Sequence, residues 1–153
     1  MSALLDSFRD GYAALLDPDA LQLGDGRRQA LAALLADGLP GPREEAWKYT
    51  PLRALERRAF AAADPAPPAC DPALLADIPV PRLVFVNGRY DDGASDLAGL
   101  PPGVDVQALS RLLASGQPRE ANFLLRHYAR RDEAFARVNA ALAEEGAVVR
   151  VAE

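Results

Sequence analysis

Apolar positions three and four apart open the chain. Leu4, Leu5, Phe8, Tyr12, Leu15 and Leu16 fall on one side of a helix that Ser2 is placed to cap. Pro18 disfavours helical geometry at the residue before it, so this helix is predicted to stop near Asp17. A second helix is predicted over residues 26–37, burying Leu31, Leu34 and Leu35, with Gly38 where a left-handed residue is wanted. Leu39-Pro40-Gly41-Pro42 is a rigid corner. Pro42 suits the first turn of a short helix, with Glu44 and Glu45 complementing its positive end. Thr50 and Pro51 repeat the device as cap and first residue, launching residues 52–59 with Leu52, Leu55 and Ala59 on one side.

An Ala/Pro tract follows, holding Pro65, Pro67 and Pro68, and reads as an extended linker. Asp71 and Pro72 restart a short helix that ends before Pro79. The texture then changes. Leu83-Val84-Phe85-Val86 is a β-rich run followed by Asn87-Gly88, the strongest short hairpin signal, with Arg89-Tyr90 opening the return strand. Val104-Asp105-Val106 reads as another short strand. Helices are predicted again at residues 107–113, 119–130 and 132–145. In the last of these Asp132 is the cap, Phe135, Val138, Asn139 and Leu142 share a face, and Gly146 ends it. Residues 147–151 read as a strand without an obvious partner.

These elements predict a predominantly helical α+β fold with a small β-hairpin or sheet and a C-terminal strand. Along the chain they divide into a helical part (1–60), an Ala/Pro linker (61–72) and a mixed strand/helix part (73–153), together one domain.

Composition narrows the function classes. In 153 residues, half apolar and a quarter charged, there is enough chain for a core without disulfide or metal staples. The net charge of −5 argues against nucleic acid as a partner. Basic residues at Arg57-Arg58 and at 126–131 lie beside acidic ones and read as solvated helix faces. No apolar run approaches the ~20 residues that cross a bilayer, and no signal peptide opens the chain, so a cytoplasmic location without membrane contact is expected. The single cysteine, Cys70, excludes an internal disulfide or a cysteine-built cluster site.

Candidate chemistry is sparse. Cys70 sits in the Ala/Pro tract beside Asp71, which raises rather than lowers a thiol pKa, and reads as an incidental surface thiol. His127 has Arg126, Arg130 and Arg131 nearby, which disfavour a metal ion, and reads as a structural helix residue. Asp91, Asp92 and Asp96 lack the ligand spacing of a calcium loop and read as a polar turn. No catalytic, cofactor-binding or metal-binding residues are assigned. The unusual residues gather elsewhere: the only tryptophan and the only lysine adjoin in Arg43-Glu44-Glu45-Ala46-Trp47-Lys48-Tyr49. Trp47 and Tyr49 are expected to pack on the first two helices, with Lys48 in solvent or paired with Glu44 or Glu45. Arg43, Trp47, Lys48 and Tyr49 are the candidate interdomain or partner contacts.

Several of these blocks share an order with a known family. The run Gly38 to Leu55 with Arg43, Glu45, Trp47, Lys48, Tyr49, Thr50 and Leu52, then Leu83 to Gly88, Leu100-Pro101-Pro102-Gly103-Val104, and Phe135 to Leu142 before Gly146 and a strand, resembles the amino-terminal region of SufD-like proteins of the SufB/SufD family. The resemblance spans nearly the whole chain. It implies a scaffold component of the Suf iron–sulfur cluster assembly system, an N-terminal domain whose last strand leads into a right-handed parallel β-helix. It implies SufB and the ATPase SufC as partners of the longer protein. An iron–sulfur cluster and ATP belong to that complex, and no cofactor is expected in this piece, which is expected as a monomer. Solenoid ends need a distinct cap, which a helical domain can supply. Two other readings remain: an independent helical protein–protein adaptor, and a small enzyme using the turn of Asp91, Asp92 and Asp96 with His127.

Overall fold

The computed structural model describes residues 2–64, 66, 69–116 and 133–152. It is an α+β fold in which helix predominates among the described residues. The chain forms two compact units, Met1–Ala62 with Gly116–Ala143, and Ala63–Ser115 with Glu144–Glu153.

The first unit is helical. Helix α1 spans Ala3–Ala13, and the Ser2 hydroxyl accepts from the Leu5 amide at 3.3 Å as the pattern predicts. It buries Leu4 and Leu5. It ends four residues short of Asp17, and Leu16 is 90% exposed. The Asp17 carboxylate instead accepts from the Asp19 amide, a local turn that competes with continued helix just where Pro18 forbids it. The turn Ala20–Gln22 then holds Leu21 and Gln22 at φ of 53° and 61°. Side chains other than glycine's resist that region, and burial of Leu21 offsets the strain.

Helix α2, Gly24–Asp37, starts two residues earlier than expected and buries Arg27, Leu31 and Leu34. Asp25 and Asp19 hydrogen-bond the exposed Arg28, holding its guanidinium above the usual range. Gly38 ends the helix at φ 78°, ψ −162°, a region that only glycine occupies readily, rather than in the left-handed helical conformation. The corner leads to a 3-10 turn, Glu45–Trp47.

Helix α3 is only Arg53–Glu56, and Thr50 does not cap it: Leu52 precedes the helix without a side-chain bond. None of its residues is buried where it lies against α1, and one turn that buries so little does not propagate.

Helix α5, Ala134–Leu142, is the main partner of α2. Leu5, Leu34 and Ala134 form the core, with Phe8, Leu35, Leu39 and Val138 packed on it. The buried face of α5 is Ala134, Arg137, Ala140 and Ala141, whereas Phe135, Val138 and Leu142 are half-buried and Asn139 is exposed. Small alanines admit the neighbouring helix more closely than the larger apolar residues would. The predicted cap Asp132 and the predicted helix 119–130 lie outside the described residues, as do Pro65, Pro67 and Pro68 of the tract.

The second unit carries all the strands found among the described residues. Asp71 caps the 3-10 turn Pro72–Leu75 through the Ala73 amide at 2.9 Å. Strands β1, Phe85–Val86, and β2, Arg89–Tyr90, form the expected antiparallel hairpin. Asn87 and Gly88 sit at φ 50° and 75°, the paired positive values of the two-residue turn that suits strand twist. Strand β1 begins two residues later than the apolar run does.

Strand β3, Val104–Ala108, pairs antiparallel with β4, Ala147–Val151, from Val104 opposite Val151 to Ala108 opposite Ala147. The last strand, whose edge the pattern left without an obvious partner, thus finds one earlier in the chain itself. Because Gln107 and Ala108 join that ladder, helix α4 starts at Leu109 rather than Gln107 and runs to Ala114. The Leu109 amide donates to the Gly146 carbonyl at 2.8 Å. Val84, Ala108, Leu109, Leu112 and Val148 are the buried apolar residues of this unit.

Candidate functional site

The Arg43–Tyr49 segment projects from the first unit because a proline–glycine corner and a single 3-10 turn replace regular helix there. Its Glu44 carboxylate folds back to accept from the Gly41 amide at 2.9 Å, closing the corner. Trp47 turns inward and is half-buried, its ring 5.5 Å from that of Phe135 on α5 at an angle of 39°. Its aromatic partner therefore comes from the last helix, not from the first two. Lys48 and Tyr49 face out together: Tyr49 is 86% exposed, and the Lys48 ammonium stands 5.4 Å from the centre of its ring. Arg43 is exposed as well. The structure thus places Arg43, Lys48 and Tyr49 at the surface around a tryptophan that anchors their backbone. A cation over an exposed aromatic ring is a small recognition element, of the kind that contributes about 0.5–1 kcal/mol at exposed positions.

Beside this segment lies a cavity of about 160 Å³ lined by Asp37, Gly38, Leu39, Glu44, Ala134 and Arg137. Arg137 reaches the Asp37 carboxylate at 2.7 Å and the Ala33 carbonyl at 3.3 Å. Arg27 on α2 reciprocates, donating to the Ala143 carbonyl at 2.9 Å and the Ala141 carbonyl at 3.4 Å. Each helix therefore sends a buried arginine to the C-terminal end of the other, Arg27 to carbonyls at the end of α5 and Arg137 to the Asp37 carboxylate and Ala33 carbonyl in the last turns of α2. Pattern reading missed both residues, because an arginine within a helix normally signals a solvated face.

In the second unit the acidic turn is committed to its own backbone. Asp91 accepts from the Ala94 amide at 3.0 Å and Asp96 from the Ala98 amide at 2.9 Å. Asp92 pairs with Arg111 and accepts from the Tyr90 hydroxyl at 3.2 Å. Among the described residues no group of three His, Cys, Asp or Glu side chains is arranged to hold a metal ion. His127 lies outside them. Cys70 is half-buried on the wall of a larger cleft of about 500 Å³. Glu145 organises the unit, accepting from the Tyr90 amide and the Ser110 amide, both at 3.2 Å. No described helix is long and apolar enough to cross a membrane.

Comparison with known proteins adds what geometry alone does not. The family model for the SufBD protein N-terminal region matches residues 1–153. The iron–sulfur cluster assembly protein SufD of Escherichia coli K12 is 37% identical over 83 residues, covering 54% of this chain and 20% of that protein. An iron–sulfur cluster assembly SufBD family protein of Synechocystis is 32% identical over 129 residues, covering 80% of this chain and 28% of its own length. The chain thus spans well under a third of the curated relatives it matches. No solved structure matches it.

Proposed function

Since the chain belongs to the SufBD N-terminal region family, we propose that it serves as the non-catalytic N-terminal domain of a SufD-like scaffold in cytoplasmic iron–sulfur cluster assembly. In that role it caps and orients a β-helix core and offers a surface to other components, with SufB and the ATPase SufC as partners of the longer protein. The family match over residues 1–153 carries the reading. The β3–β4 sheet supports it physically. Among the described residues the sheet has two strands, so each has an open edge. Val149 and Val151 on β4 are 60% and 72% exposed. Apolar side chains along an open edge favour further β-structure stacked against them. Arg43, Lys48 and Tyr49, seated on Trp47, are the proposed contact surface of the first unit.

The test is genetic and biochemical together. Deleting the coding region for residues 1–153 should lower the activity of iron–sulfur enzymes in the cell. Val149→Asp with Val151→Asp should reproduce that loss without unfolding the purified chain, because both positions are exposed. Unchanged enzyme activity in the deletion strain would remove the assembly role. Stoichiometric iron and sulfide bound by the chain after anaerobic reconstitution, and lost on Cys70→Ala, would overturn the scaffold-only assignment.

A further inference from the structure

We propose that the stretch from Arg43 to Arg58 docks a carboxylate-rich segment of a partner protein, its cations taking the acids and Tyr49 an apolar or aromatic side chain between them. This names the chemistry of the occupant. It rests on the reading of Arg43, Lys48 and Tyr49 as a contact surface, and not on the assembly system in which the domain works.

The way the chain distributes its cations carries the proposal. Among the described residues, every basic side chain outside this stretch is engaged. Arg9, Arg28, Arg89, Arg111, Arg137 and Arg150 reach carboxylates. Arg27 and Arg82 donate to backbone carbonyls. Inside the stretch the pattern reverses. Arg43, Lys48, Arg53, Arg57 and Arg58 are all exposed, and none has an ion pair or side-chain hydrogen bond with another described residue. Lys48 has only the ring of Tyr49. Acids are not scarce in a chain of net charge −5, and Glu56 stands three positions from Arg53 and next to Arg57 without pairing with either. Unpaired charge of one sign, gathered into one segment, is what a partner of opposite sign complements.

The local geometry suits carboxylates. Arg53 opens α3 and Arg57 follows it in helical conformation, so the two guanidinium-bearing positions lie about 6 Å apart along the axis. Acids two apart on an extended chain, or four apart on a helix, have about that spacing. Guanidinium groups take carboxylates in a two-bonded fork, and arginine and tyrosine are enriched where proteins meet. Tyr49, 86% exposed, supplies the apolar area that charge alone lacks. The interspersed Glu44, Glu45 and Glu56 favour a protein over a nucleic acid. A phosphate backbone, charged at every step, would meet them as well, whereas a protein segment can set neutral side chains opposite them.

Fluorescence anisotropy on the 153-residue chain tests this with labelled dodecapeptides of three Glu-Phe-Glu-Gly repeats, the same peptide with Gln for Glu, and a labelled single-stranded dodecathymidylate. Saturable binding is expected for the Glu peptide. The triple variant Lys48→Gln, Arg53→Gln, Arg57→Gln should weaken it about tenfold, and Tyr49→Ala about threefold. All four side chains are exposed, so the folded state should persist in both variants. The control Arg9→Gln, Arg28→Gln, Arg111→Gln changes the net charge by the same amount at exposed arginines that already have acids, and should leave binding unchanged. The proposal is overturned by no saturable binding up to millimolar peptide, by equal affinity for the Gln peptide, or by equal weakening in the control. Full affinity in the basic triple variant or in Tyr49→Ala overturns it too, as does tighter binding of the dodecathymidylate, which would make the stretch a nucleic-acid surface.

Discussion

Replacing Arg27 with methionine isolates the polar half of the contact between α2 and α5. The arginine is 2% exposed and Ala141 is fully buried, so water cannot take over at that carbonyl. The 2.9 Å bond to Ala143 is strong, and the 3.4 Å bond to Ala141 is long and counts for less. A hydrogen bond from a charged donor contributes ~1.5–3 kcal/mol, and stranding a buried acceptor costs ~1–3 kcal/mol. Against this stands the desolvation of the guanidinium, several kcal/mol, which methionine relieves while keeping most of the stem's apolar contact. The balance is a loss of about 2 kcal/mol for Arg27→Met, and about 4 kcal/mol for Arg27→Ala, where a cavity is added. For a chain of this size the methionine variant should melt about 4–8 °C lower. Trp47 fluorescence in urea reads the right unit, since the only tryptophan packs on Phe135 of α5. Arg9→Met is the control: Arg9 is half exposed, its pairs with Asp6 and Asp10 lie at the surface, and its effect should stay within about 0.5 kcal/mol. If Arg27→Met is as stable as the parent by the same measure, the carbonyls it serves are solvated and the buried clamp is not a source of stability.

Gly88→Ala should cost about 1–2 kcal/mol, because φ of 75° disfavours any Cβ, and should speed hydrogen exchange across the β1–β2 hairpin; unchanged exchange contradicts the turn assignment. Glu145→Gln replaces one acceptor oxygen by a donor facing backbone N–H groups, so the second unit should lose about 1–2 kcal/mol, read as faster exchange at the Tyr90 and Ser110 amides. Ser2→Ala should cost about 1 kcal/mol in urea denaturation, while Thr50→Ala, which removes no cap, should stay within about 0.5 kcal/mol; the reverse order would contradict both helix starts.

What could be read from the chain was local. Ser2, Asp71 and Asn87-Gly88 act on backbone groups two or three positions away, and each does what its residue type predicts. Thr50-Pro51 carries an equally good start signal and fails, because none of the residues in the turn that follows is buried. The larger misses involve distant partners. Arg27 and Arg137 look like solvated helix residues until the other helix, more than a hundred positions away, supplies the acceptors. The strand at 147–151 was evident from its valines, but its partner Val104–Ala108 was not, since composition marks strands without pairing them. The same limit governs the candidate surface. Trp47 is recognisable as an anchor, yet Phe135, the ring it meets, is not.

The β3–β4 ladder carries its own guard against mispairing. Val148, Val149 and Val151 are nearly interchangeable, so the valines alone would tolerate a slipped alignment. A slip of one position exchanges the two faces, turning the buried Val148 outward. A slip of two preserves the faces but parts Arg150 from Asp105, now 3.7 Å apart across the ladder. Alternation thus forbids the odd errors and the surface ion pair of Arg150 with Asp105 disfavours the even ones, so a charged contact across the ladder acts as the marker that tells one valine from the next.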